Sequence, residues 1–294
     1  MPGVVHSSPR HELTQTPRGL FSGSTFFPKL PIDTAEALPR ALMATVEEYA
    51  VSVVEQYRVV PEKGSGAHRA AEEVIPLLKQ WGKKYLLGIT LSGAYAKNTA
   101  VTLASHADLL VALKLVPGME MKTVFWNLFE FLTDHDLRPS TRNVSIQLQS
   151  KGVPVDVIPA CRDGSGVVLF NKRTGAAVAT DVGQHVHLIG NSGRQQEICA
   201  VKIWRERNGL DFPSLYLEMT VLRALENERF GQLADNVLAV LRFLASRFEQ
   251  AVVRDPANRD NVLSDDLSAS EKKAIAKAAR NAVYEGENWK KIVW

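Results

Sequence analysis

Apolar residues recur at helical spacing across residues 34–59, at Leu38, Leu42, Val46, Tyr49 and Val53, and Pro61 follows the run. That spacing predicts an amphipathic helix. A second helix is expected over residues 67–85, joined to the first through Gly64, Ser65 and Gly66. Beyond it the pattern shortens. Runs rich in β-formers occupy residues 86–90, 107–113, 144–148, 153–158 and 167–170, with a helical stretch at 119–132 after the Pro117-Gly118 break. Such an alternation predicts an α+β layer in which helices cover a mixed sheet. From Val182 onward nearly every window has helical period, broken at residues 209–213 and 227–231 and by a loop at Asp255-Pro256-Ala257-Asn258. A helical bundle is therefore expected to end the chain. Residues 1–33 carry Ser, Thr, Pro and Gly without hydrophobic periodicity and read as an irregular arm. The division that follows is an arm at 1–33, an α/β core at 34–180 and a helical domain at 181–294.

Composition narrows the class without naming a function. With 294 residues, 45% hydrophobic and 23% charged, the chain can bury a large core in one or two domains. No stretch has the roughly twenty apolar residues of a membrane span, so no membrane partner and a cytoplasmic setting are expected. Cys161 and Cys199 lack a CxxC partner or a His pair at zinc spacing, so they read as buried thiols. The net charge of +3 leans toward anionic partners, although so small an excess decides nothing by itself.

The chemistry concentrates in Leu91-Ser92-Gly93-Ala94-Tyr95-Ala96-Lys97-Asn98-Thr99-Ala100, followed by Ser105-His106-Ala107-Asp108-Leu109-Leu110. A strand leads into a glycine turn and a helix start, whose free N–H groups suit phosphate, and then into a strand bearing an acid. Asp108 beside Leu109 and Leu110, and Asp156 between Val155 and Val157, sit in apolar runs. A carboxylate there needs a metal, a base or an edge position, because burying it unpaired is costly.

These stretches resemble the signature of the polymerase-β-like nucleotidyltransferases, in particular the branch holding the cGAS/DncV-like enzymes, oligoadenylate synthetases and archaeal CCA-adding enzymes. That signature is Gly-Ser, a Tyr/Phe-Ala-Lys/Arg-Gly-Thr-Ala run, Asp-x-Asp, and a third Asp on a later strand. Gly93 and Ala94 fall on Gly-Ser, Tyr95, Lys97 and Thr99 fall in the run, His106 and Asp108 fall on Asp-x-Asp, and Asp156 falls on the third Asp. Lys202 with Trp204, Pro213-Ser214 with Glu218, and the Asp255 loop resemble the helical domain. The resemblance implies the superfamily's nucleotidyltransferase core followed by helices. It also implies a nucleoside triphosphate and divalent metal (Mg²⁺ or Mn²⁺) as cofactors, with Asp108 and Asp156 catalytic. Asp108, Asp156 and His106 would hold metal, and Gly93, Ala94, Tyr95, Lys97, Thr99 and Lys202 the nucleotide. Two departures are chemically costly: His106 removes a carboxylate where cations must sit, and Ala94 lacks the phosphate-facing hydroxyl. Asn98 for Gly is milder, since Asn tolerates a left-handed backbone.

Three functions are consistent with this pattern. The first is a catalytically impaired nucleotide-binding protein acting as sensor, regulator or partner subunit, with bacterial antiphage signalling as the setting by analogy. The second is an active enzyme making a cyclic or linear oligonucleotide or extending RNA, with His106 as a neutral ligand. The third is a protein-interaction scaffold with no nucleotide. Implied partners are a nucleoside triphosphate or oligonucleotide, with RNA and a protein as further candidates. Outside the motif, ordinary structural roles suffice. His185 and His187 have no acidic neighbour at ligand spacing, and Trp204 suits a core position. Arg138, Arg142, Lys151, Lys172 and Arg173 read as solvated surface, lacking the interleaved aromatics of a nucleic-acid platform. The segment from Asn288 to Trp294 reads as a helix docking back, with a partner-binding tail as the alternative.

Overall fold

The computed structural model describes residues 45–59, 65–104, 106–286 and 288–292. The arm expected at 1–33, the start of the first expected helix and Trp294 lie outside these. Helix α1 (Val46–Tyr57) begins at Thr45, whose hydroxyl accepts from the Glu48 N–H while the Glu48 carboxylate accepts from the Thr45 N–H. This reciprocal cap explains the sharp start. Helix α2 (Gly66–Gly82) starts on the Ser65 hydroxyl and buries Ala67, Ala70, Ala71, Val74 and Leu78, one helical face.

Strand β1 (Leu86–Ser92), short helix α3 (Gly93–Ala96), strand β2 (Ala107–Lys114) and helix α4 (Met121–Asp134) follow. Then come β3 (Ser140–Thr141), β4 (Ile146–Ser150), β5 (Val153–Asp163), β6 (Gly166–Asn171) and β7 (Ala176–Thr180). These seven strands form a mixed sheet, ordered β1-β2-β5-β4-β3 with β6 and β7 continuing from β5. Strands β2 and β5 are parallel and the other pairs antiparallel. The expected strand at 153–158 extends to Asp163 despite Pro159. β4 pairs with β5 up to Val157 and β6 takes over from Ala160. Pro159 therefore falls where no antiparallel partner needs its missing N–H. The strand expected at 144–148 is displaced to Ile146–Ser150, because Lys151 (φ 50°) and Gly152 (φ 76°) form a two-residue turn pairing Ser150 with Val153.

The helical part comprises α5 (Val182–Gly190), α6 (Gln195–Arg207), α7 (Ser214–Ala224), α8 (Leu233–Ser246), α9 (Ala269–Tyr284) and α10 (Trp289–Ile292). A hairpin, β8 (Arg254–Asp255) with β9 (Asn258–Val262), stands where a plain loop was expected; Pro256 and Ala257 are its turn. Two large apolar clusters form. One packs α2 and α4 on the sheet, around Phe125, Leu128, Leu132, Val111 and Val157. The other joins α6 to α9 and takes in Ala50, Val53 and Val54 of α1. The first helix, grouped by sequence with the α/β core, thus packs with the helical layer. Trp204 is 1% exposed in that cluster, and Trp289 and Ile292 of α10 are buried there, as the docking-helix reading expects. Both cysteines are buried free thiols. Among the described residues no helix is long and apolar enough to cross a membrane.

Candidate nucleotide and metal site

Strand geometry assembles the acidic residues. His106 precedes β2 and Asp108 lies two residues on, so both side chains fall on one face. Asp108 pairs laterally with Asp156 of the parallel strand β5, and with Ser92 at the end of β1. The result is a tight cluster: His106 Nε2 lies 3.3 Å from Asp108 Oδ1 and 3.6 Å from Asp156 Oδ2. One ligand atom from each of the three residues lies within 4.8 Å of the others. Asp108 and Asp156 are each 8% exposed. Burial opposes a charge on His106, but the hydrogen bond to Asp108 and the charges of both carboxylates outweigh it and raise its pKa. Burial raises the Asp156 carboxyl, and Asp108 beside it adds to the rise against the pull of His106. Burial, then Asp108, likewise raise the Tyr95 phenol.

Asp108 lies over Gly93, which adopts φ +63° at the end of β1. These two residues, with Ser92 and Lys97, form one end of a cavity of about 280 Å³. Its other walls include Asn171, Thr180, His185, Ser214, Asp255 and Asp266, so sheet, α5, α7 and the β8–β9 hairpin all contribute. Behind this end is a buried polar cluster. Glu218 Oε2 accepts from Lys97 Nζ at 2.8 Å, and Glu218 Oε1 accepts from Lys202 Nζ at 2.7 Å and from the Thr99 hydroxyl at 3.0 Å. Burial would raise the Glu218 pKa, but the ammonium groups of Lys202 and Lys97 hold it at about 2.

The structure thus gathers His106, Asp108 and Asp156, and places Gly93 and Lys97 on the cavity wall. Three further expected nucleotide residues stand behind it. Lys202 is 2% exposed and spent on Glu218 and Thr99; Thr99 is fully buried; Tyr95 packs in the α/β core. Ala94 packs against that core as well. Sequence reasoning missed Ser92, whose hydroxyl stands one residue before Gly93 rather than after it and donates to the Asp108 carbonyl at 3.5 Å. It read His185 as structural, with no acidic neighbour at ligand spacing, and did not foresee the partner it has. His185 Nε2 is 2.6 Å from Asp255 Oδ1, and Thr180 and Asn261 donate to Asp255 Oδ2. Seventy residues separate that pair in sequence, so no local spacing announces it. Of the basic residues around the late strands, Lys151 pairs with Glu73, Lys172 bonds to Thr141 and Arg142 bonds to Gln147, all at the surface.

No protein-family model and no curated protein matches the chain. Solved structures do. CdnC of E. coli MS115-1, solved with ATP, superposes with a TM-score of 0.68 at 17% identity, covering 84% of this chain and 97% of that one. The Bradyrhizobium diazoefficiens CD-NTase CdnG, in complex with GTP, gives 0.66 at 11% identity over 85% and 95% of the two chains. The Cid1 poly(U) polymerase bound to MgATP gives 0.59 at 14% identity over 84% and 98%. The chain has the polymerase-β-like nucleotidyltransferase fold. Within that fold, coverage on both sides exceeds four-fifths, so the sheet and the helical layer are matched together rather than a single motif.

The donor set itself tests whether a metal belongs here. Two buried carboxylates converge with an imidazole nitrogen, and Asp156 Oδ1 is buried with no hydrogen-bond partner. An acceptor left unmet at that depth is costly, and a cation would meet it. The residues fit one divalent ion that tolerates nitrogen.

Proposed function

We propose that this protein binds a nucleoside triphosphate and a divalent cation in the cleft, with nucleotidyl transfer weakened or lost, and that it serves as a sensor, regulator or partner subunit. The observation that carries this reading is the convergence of His106, Asp108 and Asp156, with Asp108 lining a cavity walled by both layers. A scaffold that had abandoned the ligand would have no need to keep two buried carboxylates side by side. CdnC and CdnG, which share the fold, were solved with ATP and GTP respectively, and CdnC also in complex with a HORMA protein. The last supports the partner-subunit role.

The residues divide the work. Asp108, Asp156 and His106 would hold the cation, which when bound neutralises phosphate charge and polarises the phosphoryl group. Gly93 lets the backbone approach closely where any side chain would collide. Lys97, whose ammonium bonds to Glu218, stands at the wall with Ser92 and Ser214. Impairment follows from charge and contact: His106 brings no negative charge whether neutral or protonated, and Ala94 offers no hydroxyl.

The test is incubation of the purified protein with labelled ATP, GTP, CTP and UTP, in Mg²⁺ and in Mn²⁺, reading both bound nucleotide and product. Binding without product supports the proposal. Product that vanishes in Asp108→Ala would establish a working enzyme instead, and absence of both signals would leave the scaffold.

A further inference from the structure

The geometry points to a site that takes a single first-row transition cation, with Mn²⁺ as the test case, in preference to Mg²⁺. The inference rests on the reading of the cleft as a nucleotide site and adds the identity and number of its metal ions.

Donor chemistry comes first. His106 Nε2 faces both carboxylates at 3.3 and 3.6 Å, so any cation gathered by Asp108 and Asp156 meets an imidazole nitrogen as its third neighbour. Mg²⁺ holds to oxygen and sheds its waters reluctantly, whereas first-row transition ions accept imidazole, weakly at Mn²⁺ and more strongly along the row, so Mn²⁺ is the most stringent of them as a test. Asp108 and Asp156 are set opposite each other by β-strand register, and His106 stands immediately before β2, two residues from Asp108. An oxygen-only shell therefore cannot form from these three side chains without discarding one.

Charge then sets the number. Asp108 and Asp156 carry two negative charges, which one divalent ion balances. A second would face no remaining carboxylate in the cluster, while two ammonium groups, Lys97 and Lys202, share the single carboxylate of Glu218 close behind. Asp156 Oδ1 is buried without a hydrogen-bond partner, an acceptor left open although Gln147 bonds to the same carboxylate.

The experiment titrates the full chain with Mn²⁺ and, separately, with Mg²⁺ by calorimetry without nucleotide, and records pulsed electron paramagnetic resonance of the bound Mn²⁺. We expect one Mn²⁺ per chain coupled to a directly bound nitrogen. In His106→Asn the nitrogen coupling disappears, and in His106→Asp the Mn²⁺-over-Mg²⁺ affinity ratio falls at least about tenfold, the scale on which a metal-site residue acts. Absence of a Mn²⁺ site, two equivalent Mn²⁺ ions, nitrogen coupling that survives His106→Asn, or an unchanged ratio in His106→Asp would each overturn the inference. If the variants fail to fold, stoichiometry and nitrogen coupling in the unaltered protein still decide it. Retention of labelled ATP is measured alongside. Nitrogen-coupled Mn²⁺ without retained ATP overturns the nucleotide reading alone, and retained ATP without that signal overturns the metal inference alone.

Discussion

The Asp108 carboxylate lies so close over Gly93 that a Cβ built on the glycine would stand 1.7 Å from Asp108 Oδ2. Gly93 also adopts φ +63°, a conformation other residues take only under strain. Gly93→Ala should therefore act twice, through backbone strain costing about 1–3 kcal/mol and through displacement of a metal-facing carboxylate. Chemical denaturation reads the first effect and nucleotide retention the second. Gly152→Ala is the control: Gly152 has φ +76° but nothing within 4 Å of an added Cβ. It should lose stability and keep nucleotide.

Glu218 holds two lysines at full burial, so its removal should be far worse than the loss of an ordinary ion pair. Glu218→Ala leaves Lys97 and Lys202 buried without a counter-charge, a change expected to cost roughly 3–5 kcal/mol. Urea denaturation checks this. Adding Lys202→Met to Glu218→Ala should recover part of the loss, because one stranded ammonium is then gone. A double variant no more stable than Glu218→Ala would show that the charge is not the cause.

Acid should weaken the same cluster over a defined window. The folded-state pKa of Glu218, about 2, lies below its ordinary 4.5. Its contribution is thus fully present above about pH 4.5 and is lost as pH falls toward 2. Asp255 is also held below its ordinary 3.8: burial opposes this, but the His185 hydrogen bond and charge and further bonds from Ala257 and Asn261 prevail. Its share is lost on the same side, as pH falls below that value. Stability measured between pH 6 and 2 should drop through this range, and Glu218→Gln should flatten the slope. An unchanged slope in that variant would remove Glu218 from the account.

Restoring the two departures tests how much of the catalytic site is intact. His106→Asp with Ala94→Ser returns a carboxylate and a hydroxyl to their expected places. Product formation from labelled nucleotides in Mg²⁺ should then rise by more than about tenfold over the unaltered protein. The single His106→Asp variant should account for most of the gain, because Ala94 packs against the α/β core and Ser92 already brings a hydroxyl to the cavity.

Much of the site was legible because it is local. The Gly93 turn, the two-residue step from His106 to Asp108, and an aspartate inside an apolar strand are all short-range patterns. The period of apolar residues likewise marked α2, α4 and the central strands. What escaped detection lacked such signals. β7 is built from Ala176, Ala177, Val178, Ala179 and Thr180, and β9 from Asn258, Arg259, Asp260, Asn261 and Val262. Both compositions are poor in the residues that favour strands, and both become strands by pairing with a neighbour.

By itself, then, the sequence determined the α/β core followed by helices, and which side chains lie on one face of β2 and of β5, because strand and helix periods are set by backbone geometry. Only tertiary structure decided their partners. Lys202 became the buried counter-ion of Glu218, and His185 met Asp255 across 70 residues. Such pairings depend on how the sheet and the helices pack, and the cost of burying a charge alone selects, among the side chains brought together, those that satisfy each other.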